Sequence, residues 1–126
     1  MLVNKERALV GLPPLKQNIL LEKAAQAHSK DMREKRYISH TSLDGREPGT
    51  RIQATGYLTV NCTSCNYSTS TGENIGYGQL TAERIVAEWM KSPLHRANIL
   101  DQQFRDAGVG FDGGYWTMTF GSVKIR

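Results

Sequence analysis

Glu88 and His95 stand seven positions apart in the stretch EWMKSPLHRANI, with Ser92-Pro93 between them. A carboxylate and an imidazole are the side chains that most readily move protons or hold metal ions near neutral pH, so their proximity suggests a site. Ser92 is a good N-cap and Pro93 is pre-set for a first helical position, so one helix stops and another begins between the two residues. The change of direction allows the side chains to converge. A second histidine, His40, lies among Ser39, Thr41 and Ser42. A Ser-His-Glu nucleophilic set could be drawn there, but adjacency in sequence is not triad geometry, and hydroxyls beside a loop histidine ordinarily cap turns. Cys62 and Cys65 have the CxxC spacing of a redox pair, half a zinc site or a local disulfide. Polar residues follow them where a redox helix would begin, and no second Cys pair completes a zinc site. We therefore read a local disulfide, as in exported proteins.

The elements that must position these groups run helix first and strand last. Residues 1–10 form a short amphipathic segment stopped by Gly11-Leu12-Pro13-Pro14. The next helix is expected from about Gln17 to Arg36, with Leu20, Leu21, Ala24, Ala25, Ala27 and Met32 on one side. His28 falls within that arc and reads as a core imidazole or one supporting a site from behind. Turn formers dominate Tyr37 to Gly49, and TRIQATGY reads as a short helix closed by Gly56. Residues 59–72 are small and polar, which predicts an exposed loop. Ala82 to Lys91 is a clear helix with Thr81 as its N-cap; Ile85, Val86, Trp89 and Met90 form its buried arc, and Glu88 lies at the arc's edge. At the C-terminus, Ala107, Val109 and Phe111, then Asp112-Gly113-Gly114, then Trp116, Met118 and Phe120 predict a β-hairpin with one buried face. Gly108 and Gly110 leave the first strand's other face bare for a close backbone approach. Trp89, Trp116 and Phe120 are assigned to the core. Helices first and an antiparallel sheet last indicate an α+β layered domain.

At 126 residues with 39% apolar content the chain is the size of one domain with one core, 1–126. Its charge of +4 favours anionic surroundings, but the densest basic run, Lys30 to Arg36, is broken by Asp31 and Glu34. It reads as a solvated helix face, so nucleic acid is not an expected partner. No stretch approaches the ~18 apolar residues of a membrane span. Met1-Leu2-Val3 is followed at once by Asn4, Lys5, Glu6 and Arg7, which is not a signal peptide.

NKERALVGLPPL, AAQAHSKDM, SHTS, GENIGYG, AEWMKSPLHRANIL, AGVGF and YWTMTFG occur in the order and spacing of the CAP superfamily, which includes cysteine-rich secretory proteins, antigen-five allergens and plant pathogenesis-related proteins. The chain resembles its bacterial, SCP-like branch from about Leu2 to Phe120. The resemblance implies a three-layer α-β-α sandwich with a small antiparallel sheet and a cleft holding two histidines and two acids. Carried over by position, these are His40, Glu73, Glu88 and His95, all present. Tyr77 and Asn74, beside Glu73, are candidate lining residues; Asn74 and Asn98 also read as anchors for the surrounding loops. The resemblance further implies a secreted or cell-envelope location for a protein with fewer disulfides than its eukaryotic relatives.

Two imidazoles offer nitrogen ligands to a divalent ion, zinc above all, while two carboxylates can ligate or fix the imidazole tautomers. The gaps of 32, 14 and 6 intervening residues match no local metal motif, so the set has to be assembled by the fold. His40 and His95 are the expected metal residues and Glu73 and Glu88 the cleft acids. The expected function is a monomeric binding or interaction module, taking a protein, lipid or cell-envelope ligand. The alternative is a metal-dependent peptidase or esterase using the same four residues.

Overall fold

The computed structural model describes residues 1–125. Helix α1 spans Leu2–Leu9, and Arg7 at its end is 1% exposed. Its guanidinium donates to the carbonyls of Pro13, Ile99 and Asp101, each at 2.9 Å. A cation is well placed there, because the carbonyls at the end of a helix carry partial negative charge. A two-residue strand, β1 (Lys16–Gln17), follows. Helix α2 (Ile19–Lys35) therefore starts slightly later than its periodicity suggests, capped by Asn18, whose side chain accepts from the amides of Leu20 and Leu21. The buried arc of α2 also differs from the apolar one. Leu20 is only half-buried and Ala27 is exposed, while His28 and Ser29 are buried.

Helix α3 (Pro48–Ala54) precedes a loop in which Cys62 and Cys65 are joined by a disulfide. Strand β2 then runs from Tyr67 to Tyr77. The exposed loop expected over 59–72 thus ends early, and Tyr67 to Gly72 are strand. The correction has a tertiary cause: β4 continues to Ile125 and pairs β2 along its whole length, from Tyr67↔Ile125 to Tyr77↔Tyr115. Ser70 and Ser122, directly opposite, share a hydroxyl hydrogen bond of 3.0 Å. Polar strand residues are stable where a partner strand supplies the ladder.

Helix α4 (Ala82–Lys91) begins at Thr81, whose hydroxyl accepts from the Arg84 amide. Ser92 then turns the chain into α5 (Pro93–Ile99) without a side-chain capping bond. Strands β3 (Asp106–Asp112) and β4 (Tyr115–Ile125) make the hairpin. The sheet order is β1-β3-β4-β2, antiparallel except for the short β1–β3 pair, and β2 is an edge strand. The expectation of one buried face fails for β4. It is an interior strand, buried from Trp116 to Ser122 on both sides, while Val109 and Phe111 of β3 are partly exposed.

The sheet is sandwiched. Trp116, Met118 and Phe120 pack with Val3, Ile85, Trp89, Ile99 and Phe104 under α1, α4 and α5. On the other face α2 and α3 bring Leu21, Ala24 and Ile52 together with Tyr57. There α2 lies on bare backbone: a Cβ on Gly108 would sit 2.1 Å from the Glu22 nitrogen, and one on Gly110 2.4 Å from that of Gln26. Thr119 donates to the Leu21 carbonyl and Thr117 shares a bond with Ser29, so the close face is also hydrogen-bonded.

Candidate functional site

Neighbouring residues of a strand face opposite sides of the sheet, and β2 uses this to serve two layers. Glu73 pairs with Thr119 and faces α2 and α3; Asn74 pairs with Met118 and faces α4 and α5. On the first side, His40 Nδ1 lies 2.9 Å from Glu73 Oε1. Arg51, from α3, donates to Glu73 Oε2 at 2.7 Å, and the carboxylate is 1% exposed. His28 lies behind the pair: its Nε2 donates to the Ser39 carbonyl at 2.8 Å and is 4.0 Å from Glu73 Oε1. Burial holds the His28 imidazole below its usual titration range, opposed by Glu73 and reinforced by Arg51.

On the second side, Asn74 donates to the His95 carbonyl at 3.0 Å, while Asn98 donates to the Glu73 carbonyl at 3.1 Å and to Asn74 Oδ1 at 2.9 Å. Both asparagines fasten α5 to the edge of β2, and Asn74, fully buried, is an anchor with no exposed surface for lining. Gly72 leaves room for this approach, since a Cβ there would meet Phe104 at 2.7 Å. His95 is partly buried, with its ring centroid 6.5 Å from that of Trp89. Burial lowers its titration range, and a smaller electrostatic contribution from His40 acts in the same direction.

The fold therefore gathers His40, Glu73 and His28, and brings His95 to the other side of the same strand edge. It treats Glu88 differently. At the α4–α5 break His95 meets Trp89, the inward residue next to Glu88, while the Glu88 carboxylate is exposed and 3.8 Å from Lys91. No hydrogen bond or ion pair among the described residues joins Glu88 to His40, Glu73 or His95. Tyr77 is exposed at the end of β2, packs on Tyr115 with ring centroids 4.4 Å apart, and shares a surface pocket with Glu88.

The hydroxyls around His40 are occupied locally. Ser39 Oγ accepts from the Thr41 amide, Thr41 Oγ1 donates to Glu47, and Ser42 Oγ accepts from Arg51. None is hydrogen-bonded to His40. The sequence reading missed Arg51, buried in a short helix with no strong periodicity. His28 carried a usable signal, because a polar ring within a buried arc needs a partner.

The helical layers and the sheet between them define an SCP-like domain. The pattern of the cysteine-rich secretory protein (CAP) family matches residues 1–120, and the chain belongs to that family. YkwD of Bacillus subtilis (strain 168) is 40% identical over 121 residues, covering 94% of this chain and 44% of YkwD. Among solved structures, an extracellular protein containing a SCP domain from Bacillus anthracis str. Ames is similar with a TM-score of 0.82 and 31% identity, over 94% of this chain and 37% of that one. An outer surface protein from Borrelia burgdorferi is similar with a TM-score of 0.77 and 25% identity, over 97% and 87% of the two chains. The chain spans less than half the length of the curated relatives it matches.

Proposed function

We propose that this domain is a binding or interaction module at the cell envelope or outside the cell, presenting His40 and His95 at the edge of β2 to a divalent cation or to a polar group of a partner. The observation that carries the reading is the engagement of Glu73. Its two oxygens are taken by His40 and Arg51, so it orients an imidazole and is not free to activate water or a hydroxyl. The metal-dependent hydrolase alternative would need an acid free to act as base on a metal-bound water. The other acid of the set, Glu88, is exposed beside Lys91 with no hydrogen bond or ion pair to either histidine among the described residues. The hydroxyls near His40 bond elsewhere and offer no side-chain nucleophile. Support for the location comes from relatives described as an extracellular protein and an outer surface protein.

The donor set limits the metal that would fit. A carboxylate-bound histidine is the usual arrangement for an oriented metal ligand, and imidazole suits zinc. Among the described residues, however, no three His, Cys, Asp or Glu side chains are grouped to hold an ion. The residues fit an open two-imidazole site completed by water or by a partner, and they do not fit a closed four-ligand site. Zinc calorimetry on the wild type and on His40→Ala/His95→Ala, alongside peptidase and esterase screens, tests the reading. Metal-dependent turnover abolished by the double substitution would overturn it in favour of the hydrolase.

A further inference from the structure

The orientation of His40 is set by groups that do not themselves face the cleft. Arg51 donates from Nη2 to Glu73 Oε2, and from Nη1 to Ser42 Oγ at 2.9 Å and to the Arg46 carbonyl at 3.0 Å. Ser42 and Arg46 belong to the loop between α2 and α3 that carries His40. On the other side of the histidine, His28 holds the Ser39 carbonyl. The side chains of Arg51, Glu73 and His28 are 7%, 1% and 0% exposed, so water competes little for these bonds.

We propose that Arg51 is a positioning residue that decides which nitrogen of His40 meets a ligand, with His28 as a second strut for the same loop. The inference deepens the functional reading above and rests on it for the ligand-facing role of His40. An ionised carboxylate only accepts hydrogen bonds. With a guanidinium donating to Oε2, Glu73 accepts at Oε1, and His40 Nδ1 must carry the hydrogen. The Nε2 lone pair on the far side of the ring is then the one offered outward, on a side chain that is 47% exposed. Without the guanidinium, Oε2 loses its donor and the Glu73 side chain is no longer held with Oε1 toward His40. His40 Nδ1 then has no fixed acceptor, and the Nε2–H tautomer, which has no outward lone pair, becomes accessible. Lysine at position 51 would restore the charge but could not span Glu73, Ser42 and Arg46 as a planar fork does.

Long-range proton–nitrogen NMR correlations of the imidazoles, recorded at about pH 8 to keep histidine neutral, report the tautomer directly. Wild type, Arg51→Lys and Arg51→Met are compared, with His95 as the internal reference. We expect Nδ1–H for His40 in wild type and in R51K, and a mixture of tautomers in R51M. Zinc alone, added to the same samples, should bind about 10–100-fold more weakly to R51M than to wild type. An Nε2–H tautomer in wild type, reversal in R51K, or an unchanged tautomer in folded R51M would each overturn the inference. Should R51M fail to fold, the wild-type and R51K spectra still decide it. A wild type that binds no zinc counts against the metal-binding function and leaves the tautomer result standing.

Discussion

His28 and His95 are both held neutral by burial, and this has a sign that can be measured. Their folded titration ranges lie below the ordinary histidine value of about 6.5. As pH falls through that value, the unfolded chain takes up protons that the folded chain refuses, so stability rises with pH in this window. Stability should therefore be full above the unfolded value and fall from about pH 7 toward pH 5, as the unfolded chain protonates first. Urea midpoints measured across the range check this, and a flat or inverted profile would contradict the burial of the two rings. His28→Gln should reduce the slope while lowering stability overall. At this scale the sequence was informative about location but not about partners. The place of His28 in an apolar arc was legible in AAQAHSKDM, whereas its hold on Ser39 and its neighbour Glu73 depend on a loop and a strand far along the chain.

At the scale of elements, the glycines of β3 were read correctly for a physical reason: two bare positions of one parity require something to press against them. That something is the backbone of α2. Gly110→Ala should cost roughly 2–3 kcal/mol, because the new methyl meets the Gln26 amide and backbone cannot rotate aside. Gly49→Ala, in the first turn of α3 with its nearest neighbour at 3.7 Å, should instead stabilise by about 0.5 kcal/mol through helix propensity. Chemical denaturation of the two variants checks the contrast, and equal effects would refute the close packing of α2. Strand β2 was not legible over Tyr67 to Gly72, since Ser and Thr at an edge look like loop until the partner strand is known. The convergence at the α4–α5 break was half legible: Ser92-Pro93 does redirect the chain, but toward Trp89.

For the whole molecule, two clusters on opposite faces of one sheet carry the stability, and the single disulfide closes a loop with a sequence separation of only 3. Loop-closure entropy grows with length, so Cys62→Ser/Cys65→Ser should keep the fold and lose at most about 2 kcal/mol. Circular dichroism and denaturation would show it, and a double variant that is unfolded would contradict a core-stabilised domain. The family and the layer order were legible because seven motifs occur in register, and the pattern match over residues 1–120 bears this out. The shape of the site was not, because it arises where an edge strand presents Glu73 to one layer and Asn74 to the other.

The central claim is that His40 and His95 face one ligand across that edge. Zinc titration calorimetry tests it most directly. The account predicts one ion per chain for the wild type and none for His40→Ala/His95→Ala. Stoichiometry retained in the double variant, or absent from the wild type, would contradict it.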